Sequence, residues 1–260
     1  MTHPLWSSTR QGRGVMRALP WTIAVAGLLV WEGAVHVGAL PVLLFPAPTV
    51  IGSTFVRHAL SGSLLTDVGF TLSRWGVGLM IGAIAGIAVG VLMGWSARVR
   101  TVMEPFVAAV HPLPKSTLLP LLLVLMGVGD GPRVVLVALA AFFPMLISTM
   151  TSVATIDTVY LEAAYDYGAR GKQLLTHVIL PASLPGIMGG MRIALNSALT
   201  IAITAELLTS RNGLGARIWM AWQTFRTVNL YVALAAIGLL GLSANALLGL
   251  LSRYAMPWTG

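Results

Sequence analysis

EAAYDYGARGKQLLTHVILP, residues 162–181, is the longest polar interval between apolar spans in this chain. Apolar runs flank it at 132–153 and 186–208. Just ahead of it, Asp157 or Thr158 can cap a helix running through about Tyr167. Gly168 can end that helix by adopting a positive φ. A second short helix is expected from about Lys172 to Val178, with Pro181 and Pro185 resetting the chain before the next span. The outcome is a helical hairpin, 157–181, lying on a membrane surface. Small Ala163 and Ala164 permit a partner to approach closely, and Glu162 can cap or pair with a basic group there. An ordinary amphipathic loop between spans fits the same physical pattern.

Composition supplies the membrane. Apolar residues make up 57% of the 260 and charged residues 9%, with mean hydropathy +0.85. A soluble domain carries roughly 25% charged residues, so this chain cannot cover its surface in water and its solvent is mostly lipid. The net charge of +8 would suggest nucleic acid in a soluble protein. Here Lys and Arg sit in short segments between apolar spans, which fits membrane orientation and not a nucleic-acid partner. The absence of cysteine excludes disulfides, thiolate metal sites and cysteine nucleophiles. Basic residues precede the first apolar run, but no small-residue cleavage site follows, so it reads as a retained span and not a signal peptide.

About 20 apolar residues cross the hydrocarbon, and six candidates fit: roughly 20–38, 67–95, 103–127, 132–153, 186–208 and 230–251. The third carries Pro105, Pro112, Pro114 and Pro120 and is expected to be kinked or broken. Six spans place Arg10, Arg13, Arg17, Arg98, Arg100, Arg170, Lys172 and Arg253 on one side. Arg57, Arg133, Arg211, Arg217 and Arg226 fall on the other. The bias puts both termini, and the hairpin with them, in the cytoplasm. The chain then divides into a cytoplasmic tail 1–19, a first span with a periplasmic segment 20–64, a core 65–251 and a tail 252–260. Residues before about 19 are expected to be disordered or on the membrane surface, and Thr49–Leu60 to form a surface helix beginning near Thr49.

Gly78, Gly82, Gly86, Gly90 and Gly94 recur every four residues along the second span. Such a stripe lets helix backbones approach closely and winds around the helix, so it suits a neighbour crossing at an angle. Packing within the subunit is favoured over a dimer seam. Ionisable residues inside spans are costly and are functional candidates. Lys115 lies in the broken third span, where it can attract an anionic solute, neutralise Glu206 or snorkel to the interface. Glu206 is near the outer end of span five, within reach of Arg211 or Lys115, and a structural role suits it. Arg192, near the inner end of that span, can snorkel or brace the hairpin. Glu32 and His36, one helical turn apart, suit an interfacial pair.

The segment 162–181 resembles the EAA loop of bacterial ABC-importer permeases. The matching positions are Glu162, Ala163, Ala164, Gly168, Val178, Leu180 and Pro181, with Val178 where that family has isoleucine. Further stretches resemble the sulfonate/taurine/nitrate-type permeases: Leu118-Leu119-Pro120 through Gly127-Val128-Gly129, Ala141-Phe142-Phe143-Pro144, Gly190-Met191-Arg192-Ile193-Ala194, and Ala205-Glu206-Leu207 with Gly213-Leu214-Gly215. The resemblance covers roughly 65–251. It implies an all-α polytopic inner-membrane protein of the type I importer fold, with a cytoplasmic coupling hairpin. It also implies a second permease copy in a homodimer, a cytoplasmic ABC ATPase dimer holding ATP and Mg, and a periplasmic or lipid-anchored solute-binding protein. No cofactor is expected in this chain. Transport would proceed by alternating access, through a pathway lined by spans three to five. Lys115, Ser116, Thr117, Phe142, Phe143, Asn196, Thr200 and Glu206 are the candidates to line it. The solute expected is a small anion such as a sulfonate, taurine, nitrate or bicarbonate; a pyrimidine or vitamin precursor is the alternative.

Enzyme signatures do not appear. Gly171-Lys172 is followed by Gln173 and lacks the earlier glycine of a P-loop. The five histidines are scattered without metal-ligand spacing. A secondary transporter coupled through Lys115 and Glu206 is the competing reading. It predicts inverted repeats with paired broken helices, and the sequence offers one strongly broken span without a counterpart.

Overall fold

The computed structural model describes residues 10–257, with side chains from residue 19 onward. Residues 1–9 and 258–260 of the expected tails lie outside the described residues. Every regular element described is helical. α1 (Arg10–His36) leads into a surface helix α2 (Pro48–Leu60), then the long α3 (Ser63–Trp95). The broken segment follows as α4 (Ala97–Val110), a 3-10 turn (Lys115–Leu118) and α5 (Leu119–Met126). Next come α6 (Asp130–Ala154), the hairpin helices α7 (Thr158–Asp166) and α8 (Gly171–Leu174), and α9 (Leu180–Thr209). α10 (Leu214–Gln223) and α11 (Thr227–Ala255) close the chain.

The first helix begins earlier than the composition suggested. α1 already starts at Arg10 and runs through Pro20, so residues 10–18 are helical, while the apolar stretch long enough to span is Leu19–His36. At the other end α11 continues to Ala255, into the expected tail 252–260.

The glycine stripe sets the core. A Cβ at Gly78 would lie 2.6 Å from Val137 Cγ1, at Gly86 2.6 Å from the Phe142 carbonyl oxygen, and at Gly94 2.5 Å from Val153 Cβ. All five stripe glycines face α6, where the absence of side chains brings the two backbones together. Lipid offers no hydrophobic drive between helices, so such close packing is what holds them. The contact advances in one direction along both helices, from Gly78 against Val134 and Val137 to Gly94 against Met150 and Val153. α3 and α6 are therefore parallel. Two parallel neighbours that both cross the bilayer require the intervening chain to cross back. Only α4 and α5 are available, and their axes meet at 84° across the break. This pair is the third span, broken in the proline-rich stretch where the sequence predicts it.

α9 packs antiparallel on the other side of α6. Gly186 stands against Ser152, and Gly190 against Ser148 and Pro144. Trp75, Val137, Ala141, Met145, Ala194 and Ala198 fill the space among α3, α6 and α9. Towards the end where α3 begins, Leu64, Leu214, Val232 and Ala236 join α3, α10 and α11, with Ile51 and Phe55 of α2 packed against them.

α1 remains largely exposed, with Trp21, Ile23, Leu29 and Val30 all outward. Its far end is pinned. Glu32 Oε1 lies 2.9 Å from His36 Nε2 and accepts from Thr49 Oγ1 at 2.8 Å, while Oε2 accepts the Thr49 N–H at 3.0 Å. The expected interfacial pair is thus also a cap on the first turn of α2.

Candidate functional site

The hairpin is built as its sequence spells it. Asp157 Oδ1 accepts the Val159 N–H at 3.0 Å and caps α7. Gly168, at φ 83°, ends it. The Ala169 N–H reaches the Ala164 carbonyl at 2.9 Å, and the Gly168 N–H reaches Tyr165 at 3.0 Å. Together they form a Schellman cap, which a left-handed glycine permits. Arg170 braces the turn: its Nη1 donates to the Tyr165 and Ala169 carbonyls at 2.9 Å each, and its guanidinium lies 4.8 Å from the Tyr165 ring centroid.

One face of the hairpin is internal. Ala164, Leu161, Leu175 and Val178 pack with Leu174 and Ile179 onto Val153 of α6 and Val91 of α3. Of the motif residues, Ala164, Val178, Leu180 and Pro181 are therefore partly buried, whereas Glu162, Ala163 and Gly168 are exposed. The exposed surface also carries Val159, Tyr160 and Tyr167.

The second arm differs from expectation. No short helix ends before Pro181. Instead α8 passes through a π turn, Leu175–Ile179, in which the Leu180 N–H bonds to the Leu175 carbonyl, and continues as α9 through Pro181 and Pro185. A proline ring crowds the carbonyl four residues before it. For Pro181 that is His177, inside the π turn, where the widened backbone absorbs the ring. The prolines do not reset the chain.

In the broken span, Lys115 opens the 3-10 turn after Pro114. Its Nζ donates to the His111 carbonyl and lies 5.0 Å from the Phe143 ring centroid. The His111 ring meets Phe143 edge-on at 5.5 Å. Thr117 turns its hydroxyl back to the Pro114 carbonyl at 2.6 Å, and Ser116 is partly buried beside it. Phe142 meets the Phe143 ring edge-on at 5.2 Å and also lines an apolar cavity of about 240 Å³ with Ile81 and Ala138. Lys115, Phe143 and Phe142 are thus brought into one cluster, with Phe143 between the other two.

Asn196 and Thr200 lie on one exposed face of α9. Thr200 Oγ1 donates to the Asn196 carbonyl at 3.0 Å, Thr204 Oγ1 to the Thr200 carbonyl at 2.9 Å, and Asn245 Nδ2 to Asn196 Oδ1 at 2.9 Å. This forms a polar ladder along a membrane helix. Arg192, also exposed on α9, has no side-chain hydrogen bond among the described residues.

Glu206 pairs with neither Arg211 nor Lys115. It is fully buried, and its partner is Arg74, whose Nη1 lies 2.8 Å from Glu206 Oε1. The other oxygen accepts from Thr71 Oγ1 at 2.8 Å and from the Gly215 N–H at 3.1 Å. Arg74 also reaches Asp130 Oδ1 and the Asn212 carbonyl, each at 2.8 Å. Asp130 in turn meets Arg133 Nη1 at 2.8 Å, and Arg133 donates to Thr209 Oγ1 at 3.0 Å. A Cβ on Gly213, at φ 107°, would stand 2.5 Å from the Glu206 carboxylate, so this glycine is where the loop folds over the charge. The node ties α3, α6, α9 and the start of α10 together. Arg74 was not singled out from the sequence, and Arg133 was assigned only to an outer segment. The signal was present: an arginine inside an apolar span needs an anionic partner.

The profile of the binding-protein-dependent transport system inner membrane component family matches residues 78–259. A probable ABC transporter permease protein of Brucella melitensis is 31% identical over 245 residues, covering 94% of this chain and 96% of the relative. The taurine transport system permease protein of Escherichia coli is 30% identical over 244 residues, covering 92% and 88%. Among solved structures, an inward-facing form of the MetNI methionine ABC transporter superposes with TM-score 0.67 at 21% identity, covering 74% of this chain and 95% of that one. That likeness concerns the fold alone.

Proposed function

This chain belongs to the family of binding-protein-dependent transport-system inner membrane components and is an ABC-importer permease; from that premise we propose that the hairpin 157–181 couples it to a cytoplasmic ABC ATPase dimer. The ATPase binds ATP and magnesium, and its closure moves the hairpin. The permease works as a homodimer by alternating access, with both termini and the hairpin cytoplasmic. A periplasmic or lipid-anchored binding protein delivers the solute. The observation that carries the coupling role is the division of the motif: Ala164 and Val178 are spent on the hairpin's own core, while Glu162, Ala163, Tyr160 and Tyr167 face outward.

The solute is a small organic anion, a sulfonate in the first instance. Support comes from the likeness to a taurine permease and from Lys115, the cation at the bend of the broken span. Asn196 and Thr200 supply polar groups along the same pathway.

Purification in mild detergent tests the coupling. Wild type should retain an ATPase whose hydrolysis rises with solute-loaded binding protein, and Glu162→Arg should lose the ATPase while keeping its melting temperature. An ATPase held equally by both would overturn the role of the hairpin. A vitamin precursor stimulating hydrolysis where taurine does not would overturn the anion.

A further inference from the structure

A cleft of about 260 Å³ lies between α2, α10 and α11, remote from the hairpin and the Lys115 bend. It is smaller than a pocket for a drug-sized ligand. Arg211, Arg217, Arg226, Asn229, His58 and Asp67 contribute to its walls. Three arginines thus face one carboxylate.

That carboxylate is already committed. Asp67 Oδ1 accepts the Gly213 N–H at 3.1 Å, and Oδ2 accepts Arg217 Nε at 2.7 Å. Arg217 also reaches Ser63 Oγ at 3.2 Å. Arg211 and Arg226 have no side-chain partner among the described residues. Asn229 turns its Oδ1 to His58 Nε2 at 3.2 Å, which leaves its amide N–H groups as donors. The Thr224 hydroxyl, also in the wall, is spent on the Met220 carbonyl at 2.7 Å. What remains free in the cleft is donors, two of them cationic.

The backbone that carries one of these cations, Arg226, is fixed at a cost. Phe225 adopts φ 52°, a conformation in which a side chain is disfavoured. It occupies the glycine position of a Schellman cap that closes α10, with the Arg226 N–H bonded to the Ala221 carbonyl at 2.9 Å. Trp219 and Trp222, 4.9 Å apart, stand exposed on the same helix, as aromatic residues do at the level of lipid headgroups.

We propose that this cleft binds a small oxyanion, a sulfate, sulfonate, phosphate or carboxylate group held by Arg211, Arg226 and Asn229. The group has two sources, a dissolved anion or the phosphate of an anionic phospholipid. On the orientation given above the cleft opens outward. It stands on its own walls, so it survives or fails independently of the transported solute.

The test uses the full chain with its ATPase. In one arm, binding of radiolabelled sulfate is measured in zwitterionic detergent at constant ionic strength set with chloride. In the other, native mass spectrometry measures phosphatidylglycerol retained from phosphatidylcholine–phosphatidylglycerol nanodiscs. Arg211→Gln/Arg226→Gln, with both residues exposed, should fold normally and weaken the occupant about tenfold or more, since two charge-assisted hydrogen bonds are lost. Asn229→Asp should do likewise by placing a negative charge in the cleft, and Arg192→Gln should change nothing. Loss in the sulfate arm assigns a dissolved anion; loss in the lipid arm assigns a headgroup. Equal binding by wild type and the folded double variant in both arms overturns the proposal.

Discussion

Arg74 and Glu206, 132 residues apart in sequence, meet at 2.8 Å in the interior of the bundle, and both are buried. Replacing Arg74 strands the buried Glu206 carboxylate, at a cost of about 3–5 kcal/mol, whereas replacing Glu206 leaves Arg74 still paired with Asp130 at 2.8 Å and replacing both is milder than replacing Arg74 alone. Arg74→Met should lower the melting temperature strongly in detergent, and Glu206→Leu less, because Arg74 keeps Asp130. The double variant should recover much of the loss, although Asp130 and the Asn212 carbonyl then lose a donor. A double variant as unstable as the sum of the singles would show that the two residues act separately.

The stripe of α3 separates two kinds of glycine. Gly86→Leu would drive a side chain into the Phe142 carbonyl and Met145, and overpacking of this kind costs about 1–3 kcal/mol or prevents assembly. Gly76 has nothing within 4 Å of a Cβ, so Gly76→Ala should be neutral or gain about 0.5–1 kcal/mol from its better helix propensity. Thermal unfolding of the two variants side by side checks the contrast.

At the hairpin, Asp157→Ala should remove the cap of α7 at a local cost of about 0.5–2 kcal/mol. Gly168→Ala should cost about 1–2 kcal/mol through its left-handed backbone. Hydrogen exchange should show faster opening of 158–166 in both, with α3, α6 and α9 unchanged. ATPase retention should fall in step with that opening.

Lys115→Met should raise the taurine concentration needed for half-maximal uptake about tenfold, the equivalent of one lost charge-assisted hydrogen bond, while the complex still forms. Lys115→Arg should preserve uptake. If Lys115 only supports the His111 carbonyl and the Phe143 ring, the Met variant will lose melting temperature and leave the half-saturation value alone.

The six spans, the break in the third, and the cap and left-handed turn of the hairpin were legible because each is a local signal: apolar length, proline, Asp157 and Gly168. The glycine stripe was legible for the same reason, since a repeat of four marks a face without naming its neighbour. The partner of Glu206 was not. Arg74 lies in a different span, and spacing along one helix says nothing about which charge meets it from another. Gly213 and Gly215 appeared as a motif, yet their purpose depends on the Glu206 carboxylate that the folded loop covers. The continuity of the second hairpin arm was missed because two prolines ordinarily end a helix, and a π turn leaves no mark in composition.

That continuity has a mechanical consequence. The helical run Gly171–Thr209 contains 39 residues, about 58 Å at 1.5 Å per residue, against roughly 30 Å of hydrocarbon. Lys172, Gln173, Thr176 and His177 lie at its hairpin end and are exposed, so much of the excess projects from the membrane there. Glu206 sits near the other tip. With no loop between them, the hairpin and the Arg74–Glu206 node sit at opposite ends of one strut, and the π turn is the one place along it where the winding departs from a regular α-helix.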